Sequence, residues 1–279
     1  MTEILNTKAL KDKLEDDMIQ KIKMLKEKGK VPTLTTVRVG DSPDDISYEN
    51  SLIKKCNKYE INIENLVLDE NISTDNLIEE IKKLNTNKSI DGIMMFRPLP
   101  KQIDEDKVIW KIDYKKDADA SNPINMANVF LNNKESFKPA TPYAVMTILD
   151  YFNINLEGKD ICVINRSEVF GKPMALMLLE KDATVTICHS KTKNLKEICK
   201  SSDIIITAMG RAKIIDKDYV NKESIIIDVG VSLDKEGNLS GDCDFENINN
   251  YVAKITPRKQ GVGLITSTLL IKQVIDSIK

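Results

Sequence analysis

Residues 160–188 constrain the fold more than any other segment. An apolar run, Ile161-Cys162-Val163-Ile164, leads into the turn NRSEVFG, and a helical run, KPMALMLLE, leads out towards a second apolar run at 183–188. Strand, helix and strand in that order make a βαβ unit, which belongs to a largely parallel α/β sheet. The turn after such a strand is also where a dinucleotide pyrophosphate sits, on the helix N-terminus. Yet Asn165 and Ser167 stand where a G-x-G-x-x-G fingerprint would place its first two glycines, and only Gly171 remains.

The rest of the chain alternates in the same way. Helical periodicity covers 8–29, a strand 33–39, a helix 46–59 with Leu52, Ile53, Cys56 and Tyr59 on one stripe, a strand 61–68, a helix 74–87 and a strand in SIDGIMMF (89–96). RPLPKQI (97–103) is excluded from regular structure by its prolines. A second cycle has helices over 143–154, 172–181 and 194–201 and strands over 160–164, 183–188, 203–207 and 225–229. An amphipathic helix over 264–278 closes the chain. With 279 residues there is room for two domains. The expected fold class is α/β: two α/β lobes with a cleft between them, the second a Rossmann-like dinucleotide-binding domain. Three loops stand out as functional, RPLP (97–100), DADASNP (117–123) and TPRKQGVGLIT (256–266), because ligands of open α/β sheets bind outside the carboxyl ends of strands.

Composition narrows the function. The formal net charge of −2 lacks the basic excess of a phosphate-binding surface, so no nucleic-acid partner is expected. No apolar run reaches membrane-spanning length and the N-terminus has no signal-like apolar core, so no membrane partner and a cytoplasmic location are expected. The five cysteines form no C-x-x-C pair and the chain has one histidine, His189, so no metal site is expected and the thiols read as small reduced hydrophobes.

The pieces SEVFGKPMALMLL, ATVTICHSKT, SDIIITAMG, IIDVGV and GDCDF, in this order and at these separations, resemble the methylenetetrahydrofolate dehydrogenase/cyclohydrolases, called FolD in bacteria; the likeness runs from about residue 30 to about residue 270. The resemblance implies a folate-site catalytic lobe of residues 1–120 completed by 261–279, an NADP-binding lobe of residues 121–260, and a homodimer. It implies oxidation of 5,10-methylenetetrahydrofolate with NADP, NAD being the other possible cofactor, followed by attack of water on the methenyl bridge. Arg166 and Ser167 match the family's G-R-S turn, where a guanidinium fork and a hydroxyl suit the 2′-phosphate. Thr141, Asn165, Gly171, Ser190 and Val231 complete the cofactor set that the resemblance implies. Asn165 replaces the turn's glycine; asparagine tolerates positive φ, which would preserve the turn, while its side chain is placed to crowd the pyrophosphate. His189 falls in the family's C-H-S and reads as a strand-end structural residue.

By the same resemblance Tyr48 and Asp119 are the catalytic candidates. Substrate would be bound by Tyr48, Pro98, Leu99, Asp119, Gly261 and Gly263. The family also carries a lysine four residues after the tyrosine, on the same helical face, and a partner glutamine before P-L-P. Here those positions hold Leu52 and Phe96. A buried glutamine deprived of its lysine would be an unsatisfied polar group costing about 1–3 kcal/mol, so the two replacements make sense together. Leucine cannot transfer a proton or polarise water. The expectation is therefore a dehydrogenase whose cyclohydrolase step is weak or absent; the alternatives are a FolD-like paralogue that binds a dinucleotide without folate chemistry, and an enzyme acting on another small substrate. Lys55, seven residues past Tyr48, lies one turn too far along to substitute readily. Ala120 replaces a family glycine, and Arg258, Lys259 and Gln260 replace V-P-G; Arg258 and Lys259 read equally as new anion ligands or as a solvated basic pair.

Overall fold

A computed structural model describes residues 1–258 and 261–279; Lys259 and Gln260, and the expectation attached to Lys259, lie outside the described residues. In chain order the elements are β1 (Glu3–Ile4), α1 (Lys8–Glu27), β2 (Thr33–Val39), α2 (Pro43–Lys58), β3 (Asn62–Leu68), α3 (Thr74–Thr86) and β4 (Gly92–Met95). Then come α4 (Glu105–Ile109), α5 (Pro123–Phe130), α6 (Ala140–Tyr151), β5 (Asp160–Ile164), α7 (Gly171–Leu179), β6 (Thr184–Cys188) and α8 (Leu195–Ser201). The chain ends with β7 (Ile204–Thr207), β8 (Ile225–Asp228), β9 (Ser232–Leu233), β10 (Leu239–Ser240), α9 (Phe245–Ile248), β11 (Lys254–Ile255) and α10 (Val262–Ser277).

The chain divides into two compact units. The first comprises Lys13–Ala140 with Ser267–Lys279. Its sheet has the order β3-β2-β4, all parallel. Helix α2 starts on Ser42, whose Oγ accepts the Asp45 N–H at 3.5 Å, with Pro43 in the first turn and Asp44 and Asp45 at the positive end of the helix dipole. Its stripe of Leu52, Cys56 and Tyr59 is buried, with Leu52 fully enclosed. Helix α10 supplies Leu270, Ile271, Val274 and Ile275 to the same core. A Cβ on Gly92 would lie 2.5 Å from Val274 Cγ2, so this strand can carry only glycine where the helix presses on it.

The second unit comprises Met1–Asp12 and Thr141–Thr266. Six parallel strands run in the order β1-β11-β8-β7-β5-β6. Strand β5 is flanked by β6 on one side and β7 on the other, so the strand order reverses there, at the kind of switch point that α/β sheets use for ligands. The core strands β5 and β7 are continuous apolar runs because helices cover both faces of a parallel sheet.

The partition differs from the expected one. The division falls after residue 140, not 120, and the first twelve residues join the other unit. Phe137 and Ala140 pack into the core that contains Leu52 and Phe96, which holds the chain in the first unit to that point. At the other end β1 pairs with β11 through Glu3↔Lys254 and Ile4↔Ile255, which adds the N-terminus to the six-stranded sheet. Residues 117–123, expected as a loop, lead into α5, with Asn122 Oδ1 accepting the Ile124 N–H at 2.8 Å and Pro123 in the first turn. All five cysteines are buried, and Cys162 Sγ lies 3.6 Å from Cys188 Sγ and 3.8 Å from Cys199 Sγ. Among the described residues no helix is long and apolar enough to cross a membrane.

Candidate active site

In the first unit, Tyr48, Leu52, Phe96 and Asp119 converge. Tyr48 is half-buried on α2 and meets the Phe96 ring edge-on, with centroids 6.2 Å apart and planes at 84°. Leu52 and Phe96 are 0 % and 5 % exposed in one apolar cluster, so both positions are dry. Burial pushes the Tyr48 phenol up, and the negative charge of Asp119 pushes it further. Tyr48 therefore stays protonated at neutral pH, as a donor with an aromatic face.

The two aspartates of the DAD sequence have different jobs. Asp117 is buried and committed to its own loop: its Oδ2 accepts the Asn122 N–H at 2.6 Å and Asn125 Nδ2 at 3.0 Å, tying the 117–125 loop together. Among the described residues Asp119 receives one long bond, 3.4 Å from the Ala140 N–H. Desolvation and the Asp117 charge raise Asp119 to about 6, against the opposing pull of the Ala140 bond and Arg97. It is the acidic group of this loop with acceptor capacity to spare. Ala120, next to it, has φ +53° and is buried. A left-handed conformation costs an L-residue about 1–2 kcal/mol, whereas glycine takes it freely at a cost of about 0.4–1 kcal/mol in unfolded-chain entropy. Ala120→Gly is therefore expected to raise the free energy of unfolding by about 0.5–1 kcal/mol, read from urea melts; a loss of stability would mean that the methyl group's packing outweighs the strain.

Sequence reasoning missed the residues that hold the RPLP loop. Glu105 Oε1 accepts Arg97 Nε at 2.8 Å, and Glu105 Oε2 accepts the Leu99 N–H at 2.8 Å. The Arg97–Pro98 peptide is cis, Pro98 is exposed and Leu99 half-buried. A charged residue directly after a buried strand was the available signal for Arg97; Glu105 carried none. Lys55 donates from Nζ to Ser267 Oγ and, at 3.2 Å, to Thr268 Oγ1. Gly261 and Gly263 belong to the other unit, where the Gly261 carbonyl accepts Thr7 Oγ1 at 3.3 Å. Arg258 Nη1 lies 3.4 Å from Glu246 Oε1 in an exposed pair.

In the second unit the cofactor candidates gather at the carboxyl edge of the sheet. Asn165, Arg166 and Ser167 follow β5, Ser190 follows β6 and Val231 follows β8, while Thr141 lies in the first turn of α6. Arg166, Ser190 and Val231 are exposed, and among the described residues Arg166 makes no ion pair. A Cβ on Gly171 would come within 2.1 Å of the Asn165 carbonyl oxygen, which explains the one retained glycine: α7 starts in contact with the turn backbone. Asn165 is not at positive φ, contrary to expectation. Its side chain is what shapes the turn: Oδ1 accepts the N–H groups of Ser167 at 2.7 Å and Gly171 at 3.1 Å, and Nδ2 donates to the Ala208 carbonyl at 2.6 Å. His189 Nδ1 accepts the Lys191 N–H at 3.1 Å within its own turn.

Two carboxylates absent from the sequence reading hold the neighbouring loops. Asp242 accepts Thr207 Oγ1 at 2.8 Å and the N–H groups of Met209 at 2.6 Å and Arg211 at 2.9 Å, fixing the loop after β7. Asp228 accepts the N–H groups of Gly230, Asp242 and Cys243 at 3.0, 3.1 and 2.9 Å. Burial raises Asp228 to about 6. The sequence signal was the pair of aspartates in IIDVG and GDCDF, each within two residues of a glycine whose Cβ would collide with the other loop's carboxylate.

Comparison with known proteins agrees with both halves. Residues 5–119 match the model of the tetrahydrofolate dehydrogenase/cyclohydrolase catalytic domain, and residues 139–279 match that of the family's NAD(P)-binding domain. The bifunctional protein FolD of Clostridium botulinum (strain Langeland) is 44% identical over 277 residues, covering 99% of this chain and 98% of that protein. The crystal structure of the FolD methylenetetrahydrofolate dehydrogenase/cyclohydrolase from Campylobacter jejuni superposes with a TM-score of 0.96 at 36% identity, over 99% of this chain and 98% of that one. A Trypanosoma brucei FolD, crystallised with NADP and an inhibitor, gives a TM-score of 0.93 at 28% identity, over 99% and 97% of the two chains.

Proposed function

The chain belongs to the tetrahydrofolate dehydrogenase/cyclohydrolase family, and from that premise we propose that it oxidises 5,10-methylenetetrahydrofolate to 5,10-methenyltetrahydrofolate with NADP and hydrolyses the product poorly or not at all. The observation that carries the reading is the burial of Leu52 and Phe96 in one apolar cluster, against which Tyr48 packs, at the two positions where the family's lysine and glutamine are expected.

The residues at the carboxyl edge of the six-stranded sheet fit a dinucleotide. The switch point lies at β5, and Arg166, exposed and in no ion pair among the described residues, offers a guanidinium fork for a 2′-phosphate, with the Ser167 hydroxyl proton beside it. Ser190, Val231 and Thr141 border the same edge. When bound, the nicotinamide ring supplies the hydride acceptor that the oxidation requires. What the chain itself must do is orient the folate. Asp119, ionised above about pH 6, accepts N–H groups of the pterin, and Tyr48 presents a neutral phenol and a ring face. The one group that methenyl hydrolysis adds to these requirements is a cation able to move a proton or polarise water, and the Leu52 site holds an isobutyl group instead.

The test is turnover of the purified chain with methylenetetrahydrofolate and NADP under anaerobic conditions, following NADPH, methenyl and formyl products together in a buffer that slows spontaneous hydrolysis. NADPH should form while methenyl product accumulates. Formyl product well above the uncatalysed rate would refute the hydrolytic half, and absence of NADPH would refute the whole reading.

A further inference from the structure

The start of α7 is the place where a dinucleotide pyrophosphate would look for donors, and in this chain those donors are occupied from within. The Ser167 and Gly171 N–H groups donate to Asn165 Oδ1 at 2.7 and 3.1 Å. The Phe170 N–H donates to Ser167 Oγ at 3.2 Å and the Lys172 N–H to the Ser167 carbonyl at 3.0 Å. Residue 173 is proline and has no N–H to offer. The α7 N-terminus therefore presents a set of backbone donors that are already satisfied, and the acceptor that satisfies two of them is a side chain.

That side chain is anchored at its other end. Asn165 Nδ2 donates at 2.6 Å to the Ala208 carbonyl, which lies just past β7, the strand on the other side of the switch point. The carboxamide thus bridges the two loops that border the dinucleotide crevice while its oxygen lies against the N–H groups an anion would use. An amide oxygen carries only a partial charge, so it satisfies these donors less strongly than a phosphate oxygen would. It is also tethered, so it competes without any entropic cost of association.

We propose that Asn165 is an internal stand-in for the cofactor pyrophosphate: its carboxamide occupies the anion position at the start of α7, stabilises the ligand-free turn, and must be displaced for the dinucleotide to bind. The proposal rests on the NADP reading given above and concerns affinity within that site. The turn trades dinucleotide affinity for order in the ligand-free protein. The effect falls on the pyrophosphate, which NADP and NAD share, and not on the 2′-phosphate at Arg166.

The experiment compares the full-length wild-type chain with Asn165→Ala and Asn165→Asp by calorimetry and thermal melting. The probes are NADP and adenosine 2′-monophosphate, which keeps the 2′-phosphate and lacks the pyrophosphate. Alanine fits the non-glycine backbone of this position and removes the plug together with its bond to the Ala208 carbonyl. It should tighten NADP by about tenfold, leave adenosine 2′-monophosphate within about twofold, and lower the melting temperature of the ligand-free protein. Aspartate keeps an acceptor for the Ser167 and Gly171 N–H groups but gives up the bond to the Ala208 carbonyl, and it sets a full negative charge against the pyrophosphate, so it should weaken NADP by more than tenfold. NADP bound equally by a folded alanine variant would overturn the proposal, and weaker binding would overturn it and mean that the carboxamide is a ligand and not a plug. Should the alanine variant fail to fold, the aspartate variant decides: undiminished NADP affinity there would overturn the proposal as well. Failure of all three proteins to bind either nucleotide would sink the cofactor reading and this proposal with it, a result distinct from equal binding by wild type and variants.

Discussion

Asp119→Asn is expected to cut kcat/KM for methylenetetrahydrofolate by roughly a hundredfold or more while making the protein more stable at pH 8. Both effects come from the same geometry. The carboxylate is desolvated, lies close to Asp117 and receives one bond of 3.4 Å, so its charge is poorly compensated in the folded protein. A site whose acceptors are reserved for a ligand is strained without it. On the proposed reading, pterin N–H groups need two acceptor oxygens here; an asparagine offers one and turns the other position into a donor, which leaves a mispaired buried group worth a few kcal/mol. The stability gain follows from the raised folded value of about 6 against an ordinary 3.8. A carboxyl raised on folding contributes stability that is complete below about pH 4 and is lost as pH rises through about 6, so at pH 8 the ionised group opposes folding by about 1–3 kcal/mol. Activity should follow the opposite course in the wild type, rising with pH through about 6 as Asp119 ionises. Denaturant melts at pH 5 and pH 8 check the sign: the variant's advantage should be present at pH 8 and shrink at pH 5. Asp228, also raised to about 6, will keep part of the pH dependence in both proteins, so the difference between them is the quantity to read. Unchanged kcat/KM would remove Asp119 from the site.

The division between what the sequence revealed and what it hid follows from the range of each interaction. Strands such as β5 and β7 announce themselves because burial on both faces demands an unbroken apolar run, and α2 and α3 because a single buried stripe sets a period. The two-residue strands β1 and β11 are too short to carry any period, and their pairing joins residues some 250 positions apart, so the partition of the chain that depends on them was not legible. At the candidate site, residue types were legible and their division of labour was not. Nothing local distinguishes Asp117, consumed by Asn122 and Asn125, from Asp119, left with one weak donor. Asn165 shows the same limit from the other side. Read by its backbone tolerance it is a turn residue; its bonds to Ser167, Gly171 and Ala208 make it a side-chain clasp across two strands. Arg97 and Glu105 meet only because the RPLP loop folds back on the start of α4.

The largest gain of function is expected from restoring the family's pair in one step, Leu52→Lys with Phe96→Gln. Alone, Leu52→Lys should be severely destabilising. Leu52 has no exposure and packs in a core with Cys56, Met94 and Phe96, so an ammonium there would be buried without a partner, at a cost of about 3–5 kcal/mol. Phe96→Gln alone removes the ring that meets Tyr48 edge-on and buries an amide, at a cost of about 3 kcal/mol or more. Together the amide oxygen gives the ammonium an acceptor, and the volume lost at the ring makes room for the longer lysine stem. The double variant should therefore be more stable than the sum of the single changes predicts, by about 1–3 kcal/mol in a double-mutant cycle. General acid–base catalysis by a placed group contributes roughly 10²–10⁴-fold, so even an imperfectly held lysine should raise formyl production at least tenfold over the wild-type chain while NADPH formation changes far less. That split is what separates a hydrolytic device from a general improvement in folate binding, which would raise both products together. A folded double variant that still accumulates methenyl product would show that Leu52 and Phe96 are not what limits hydrolysis.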